Sequence, residues 1–118
     1  MYQSWKSWAI AVLPESGQGA TWKPAVDVLQ TRNGWLLRFD LAGVRLEDVT
    51  VTIQGRRIGV SGLRRDRFVE EEEWTYYSME ISWSRFERTI ELPCSLDGAR
   101  LAVELQNGIL LVRVVTGE

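Results

Sequence analysis

Histidine is absent from this chain and cysteine occurs once, at Cys94. The first absence removes the commonest general base and the commonest transition-metal ligand together. With both residues this scarce, a zinc site, a Ser/His/Asp triad and a Cys/His pair are excluded by composition. The lone cysteine also excludes an intrachain disulfide. No glycine-rich phosphate loop occurs: "GVRLEDV" and "GRRIGVSG" fit no nucleotide fingerprint. No apolar run approaches the roughly 20 residues that a membrane-spanning helix needs. A net charge of −2 gives no reason to expect nucleic acid or an anionic membrane as a partner. Composition therefore speaks against an enzyme, and no catalytic residue, metal or cofactor is expected. The opening "MYQSWKSWAIAVLPESG" has neither a cationic start nor a long apolar stretch, so a cytoplasmic location is expected.

What remains is the composition of one ordinary globular domain, with 118 residues, 45% hydrophobic and 25% charged. Alternation dominates from Pro24 onward. "AVDVLQ" places Val26 and Val28 on one face, and "TRNG" follows as a turn signal. "WLLRFDL" sets Trp35, Leu37, Phe39 and Leu41 against Leu36, Arg38 and Asp40. "VTVTIQ", "IGVSG", "RFERTIELP", "RLAVEL" and "ILLVRVV" continue the pattern. Strands of four to seven residues with turns about every ten predict an antiparallel, immunoglobulin-like β-sandwich, with no long helix after Trp22. Asn107-Gly108 predicts a two-residue type I′ turn, because both central positions need positive φ. The strand after it is apolar on both faces: Leu110, Val112 and Val114 on one, Ile109, Leu111 and Val115 on the other. Something must therefore cover its second face.

Two segments stand outside this pattern. Residues 1–23 form an arm with Ser16, Gly17 and Gly19 as a linker. Trp5, Trp8 and Val12 recur at helical spacing there, so a short amphipathic helix is one reading and a frayed tail the other. Residues 63–78, "LRRDRFVEEEEWTYYS", carry arginines, four glutamates and then Trp74, Tyr76 and Tyr77. Aromatics directly after a charge run suggest a loop carrying a short strand that docks elsewhere.

Three stretches resemble the small heat shock proteins, the α-crystallin-domain family of bacterial type. "LAGVRLEDVTVTI" (41–53) is similar to the family's "DLPGVxxEDIxV", and "YYSMEISWSRFERTIELP" (76–93) to its "Y..E.SYGSFSRSFRLP". "LDGARLAVELQNGIL" (96–110) resembles its A-x-x-x-N-G-[VI]-L signature, with Asn107, Gly108, Ile109 and Leu110 in place and Ala102 one residue further from Asn107 than the signature has it. The three come in the family's order and span about residues 24–115. Ala42 departs from the family's usual proline, Trp83 from a tyrosine and Ser84 from a glycine.

The resemblance implies an α-crystallin domain at 24–115 between the arm and a truncated tail at 116–118. It implies an ATP-independent holdase that keeps partly unfolded client proteins soluble. A homodimer is expected, with the 63–78 loop crossing to the partner's sheet edge through Trp74, Tyr76 and Tyr77, and with Arg88 at the interface. Arg88 shares a face with Phe86, Ile90 and Leu92 and needs a carboxylate or carbonyl partner. One of Glu70 to Glu73, or an acid of the partner chain, is the expected one. The family's C-terminal I-x-I/V motif docks in a groove, expected here at Val49, Val51, Leu101, Val103 and Leu105. The end "VVTGE" offers no such motif, so a dimer or small oligomer is expected. Adaptable client contacts are expected from Trp5, Trp8, Ile10, Val12 and Leu13. The rival readings are a co-chaperone of the CS-domain type, a structural α-crystallin relative without holdase activity, and a sugar-binding sandwich using Trp74, Tyr76, Tyr77 and Trp83.

Overall fold

Asn107 adopts φ 54° and Gly108 φ 82°, so the last hairpin turns in the left-handed conformation that the Asn-Gly pair tolerates. This observation comes from a computed structural model, which describes residues 2–3, 21–67 and 74–116. The strands are β1 (Tyr2–Gln3), β2 (Val26–Thr31), β3 (Gly34–Asp40), β4 (Val49–Gln54), β5 (Arg57–Leu63), β6 (Arg85–Glu91), β7 (Arg100–Gln106) and β8 (Ile109–Val115). They build a five-stranded sheet in the order β1-β7-β8-β3-β2 and a three-stranded sheet in the order β4-β5-β6. Each pairing between neighbouring strands is antiparallel. The only helical turn among the described residues is a 3-10 turn at Leu46–Asp48. The expected antiparallel sandwich is the fold observed.

Alternation in the sequence translates directly into burial. Leu37 and Phe39 of β3, Val51 of β4, Ile58 and Val60 of β5, Phe86 of β6, and Leu110 and Val112 of β8 are fully buried between the sheets. On the other side of β8, Ile109, Leu111 and Val115 are half-buried. Cross-strand neighbours flank them: Arg38 and Glu104 stand opposite Leu111, and Asp40 and Gln106 opposite Ile109. The aliphatic stems of such side chains shield apolar neighbours while their heads stay in water. Arg38 is itself held by Asp27 at 2.7 Å.

Gly62 of β5 sits close against its neighbours in the three-stranded sheet and the turn before β4. A Cβ there would lie 2.1 Å from the Asp48 carbonyl oxygen and 2.6 Å from the Phe86 ring. Gly62→Ala is expected to cost about 2–3 kcal/mol through overpacking, read as a lower urea midpoint with unchanged slope.

Candidate protein-interaction site

β2 pairs with β3 across all six of its residues and with no other described strand. Among the described residues its other edge has no strand paired to it, the usual template for strand addition. Val26 is half-buried and the five residues after it are exposed. Val28 and Leu29 are 42% and 37% exposed, which is high for branched aliphatic residues on a sheet.

The excursion between β5 and β6 supplies matching apolar groups. Residues 74–84 form no strand within the single chain. Trp74, Tyr76, Met79 and Ile81 are about half exposed, and Tyr77 is entirely so. The Tyr76 hydroxyl makes a long bond to the Asp66 carboxylate at 3.4 Å. Slight desolvation, then that carboxylate's charge and bond, raise its pKa above the ordinary tyrosine value. Glu70 to Glu73 lie outside the described residues.

Arg64 closes the neck of this excursion. Its backbone N–H donates to the Ser84 carbonyl at 3.0 Å. Its guanidinium donates from Nε to the Ser82 carbonyl and from Nη1 to the Ala42 carbonyl, both at 3.0 Å. The same group stacks 4.1 Å above the Trp22 ring and lies 5.5 Å from the Trp83 ring. Partial burial lowers the Arg64 pKa, and Asp40 opposes that shift. Trp22 is fixed in turn: its indole N–H donates to the Ser84 carbonyl at 3.2 Å, and its backbone brackets β6 through Arg85 and Glu87. These groups, with Lys23, Pro24, Gly43 and Ile81, line a cleft of about 470 Å³. Arg64→Lys keeps the charge but loses the planar fork, so about 1–2 kcal/mol of stability should go, measurable as a lower Tm.

Arg88 finds a carbonyl partner within its own chain. Its Nη1 donates to the backbone carbonyl of Pro24 at 2.9 Å, while the expected partners Glu70 to Glu73 lie outside the described residues. The reason is local: Trp22 bridges Phe86 in parallel, so Trp22–Pro24 runs beside β6 and brings a carbonyl to the guanidinium. A charge-assisted bond to a carbonyl satisfies this half-buried donor.

The expected groove is redrawn. Val49, Val51 and Val103 are 4%, 0% and 0% exposed, so they are core residues and line no open surface. Strand alternation turns all three inward. Leu101 and Leu105 are half-buried against the core. β1 pairs with β7 beside them, with Tyr2 opposite Glu104 and Gln3 opposite Val103. Trp5, Trp8, Ile10, Val12 and Leu13 lie outside the described residues.

A profile of the Hsp20/alpha crystallin family matches residues 27–118. The chain belongs to this family. Among its relatives is the spore protein SP21 of Stigmatella aurantiaca, 38% identical over 74% of this chain. The chain spans about half that protein's length, 51%. Heat shock protein 16.0 of Schizosaccharomyces pombe has a similar structure, with TM-score 0.71 and 27% identity, covering 87% of this chain and 73% of that one. HSP18.5 of E. histolytica gives 0.68 at 25% identity, covering 83% and 91%.

Within this α-crystallin domain, Ala42 abuts the Asn107-Gly108 turn. The Leu41 N–H donates to the Gly108 carbonyl at 2.8 Å, and a Cβ on Gly108 would come 3.0 Å from the Ala42 Cα. Gly108 is thus required for contact as well as for φ. Sequence reading missed Trp22, Arg64 and the β1 pairing. "TWKP" held the one usable signal, a tryptophan just before β2. Nothing singles out Arg64 within "LRRDR".

Proposed function

We propose that this chain is an ATP-independent holdase that works in the cytoplasm as a homodimer, or a small oligomer of dimers. It captures partly unfolded proteins and keeps them soluble. The observation that carries this reading is the unpaired β2 edge together with the exposed aromatic segment 74–81 of the same chain. In the dimer, the segment around Trp74–Ser78 of one protomer pairs along β2 of the other. Trp74, Tyr76 and Tyr77 then leave water, and two unpaired edges are closed by one isologous exchange. Arg88 supports the interface indirectly, by holding Pro24 just before β2. Client contacts come from Trp5, Trp8, Ile10, Val12 and Leu13, and from the β7 edge beside Leu101 and Leu105. Holding a client needs no bond chemistry. Membership of the small heat shock family and a histidine-free composition support that reading. Among the described residues there is also no group of three potential metal ligands and no helix able to cross a membrane. Heating a labile client with this chain and no nucleotide, then separating the soluble fraction by size exclusion, tests the proposal. Client and chain should co-elute in one soluble complex; a client found only in the pellet would refute it.

A further inference from the structure

We propose that the outer face of the five-stranded sheet is an association face on which a second copy of this chain packs. The inference goes beyond the β2 exchange, which extends the sheet in its own plane and leaves this face uncovered. Residues opposed across antiparallel strands share a side of the sheet, so the pairings order the outward side chains into rows. Asp27, Arg38, Leu111 and Glu104 form one row, and Leu29, Leu36, Arg113 and Ala102 the next. Asp40, Ile109 and Gln106 lie beyond the first row, and Val115 and Arg100 beyond the second. The alternate residues Leu37, Phe39, Val103, Val112 and Val114 are buried on the inner side.

The middle of the face is apolar, and its two ends carry opposite charge. Leu36, Ile109, Leu111 and Val115 are only half-buried, and Leu29 is exposed. Asp27 is matched by Arg38 at 2.7 Å, so Asp40 and Glu104 leave one end acidic. Arg100 and Arg113 make the other end basic, with no outward acid there among the described residues. An open depression of about 540 Å³ at the acidic end is lined by Ile109 and Leu111 together with Asp27, Arg38 and Asp40.

Two such faces complement each other in one arrangement. A two-fold axis lying between them and across the strands reverses the rows, so each acidic end meets the basic end of the other copy. Arg113 of one copy then stands over Leu111 of the other, within reach of Glu104, and Val115 stands over Ile109 at the depression. An axis along the strands would set like charges together. A client of arbitrary sequence carries no such charge pattern, so the face fits a second copy better. Four strands about 4.8 Å apart, with seven residues at about 3.4 Å each, give roughly 450 Å² of projected area per copy. Stable interfaces take about 800 Å² from each partner, so this contact is weak and forms at high concentration.

Sedimentation velocity of the full chain from about 10 to about 500 µM tests the proposal, since a weak contact populates within that range. The weight-average sedimentation coefficient should rise across the series, and about 0.5 M sodium chloride should reduce the rise by screening the end charges. Arg100→Glu with Arg113→Glu makes both ends acidic, and Asp40→Asn with Glu104→Arg makes both basic. Each variant alone should need at least about tenfold more protein for the same rise. Mixed in equal amounts, the two should recover the parent's rise, because acidic ends again face basic ones. Misfolding cannot produce that recovery. A parent whose sedimentation does not change with concentration would overturn the proposal. So would variants that rise as the parent does, which would leave the face to a client or to the arm. A mixture that rises no more than its components would overturn it equally.

Discussion

Deleting residues 66–77 is expected to turn the proposed dimer into a folded monomer. The stalks of the excursion survive the deletion, because Arg64 is tied to Ser82, Ser84 and Ala42 and lies over Trp22. β5 and β6 remain paired from Arg57↔Glu91 to Leu63↔Arg85, so the three-stranded sheet keeps its register. What is lost is the segment proposed to cover β2 of the partner. About five main-chain hydrogen bonds at roughly 1 kcal/mol each, with the aromatic burial added, correspond to at least a thousandfold weaker association. Sedimentation velocity should show a single monomeric species, with Tm changed by only a few degrees. The exposed edge would also make the variant prone to aggregation at high concentration. A deletion variant that sediments as the parent dimer would place the interface elsewhere.

Removing residues 1–20 should separate folding from client capture. The described core begins after this segment, since every buried core hydrophobic lies within residues 37–114. The entry strand at Trp22 keeps its bonds to Ser84, Arg85 and Glu87. Tm should therefore fall little, while most protection of a heated client disappears with Trp5, Trp8, Ile10, Val12 and Leu13. Full protection by the truncated chain would place client capture on the sandwich.

The strands were legible because alternation is a local property. Leu37, Phe39, Leu110 and Val112 sit at every second position, and each is fully buried. Asn107-Gly108 announced its own turn through the φ values it permits. The interaction surfaces were less legible, since they depend on which segments meet across the fold. Alternation placed Val49, Val51 and Val103 on apolar faces, but could not say whether those faces look inward or toward a groove. They look inward. Arg88 was recognisably out of place on its strand, yet its partner is a carbonyl sixty-four residues away, which no side-chain chemistry advertises. The Arg64 neck joins four separate stretches of chain, and a two-residue β1 is too short to carry a period. Both belong to tertiary geometry alone.

The holdase reading stands most directly on light scattering from a heat-denatured client mixed with this chain, with and without ATP. Scattering should fall in proportion to the amount of chain added, reach near-complete suppression at a small molar excess, and be unchanged by ATP. Scattering that stays at the client-only level, or falls only when ATP is present, would contradict it.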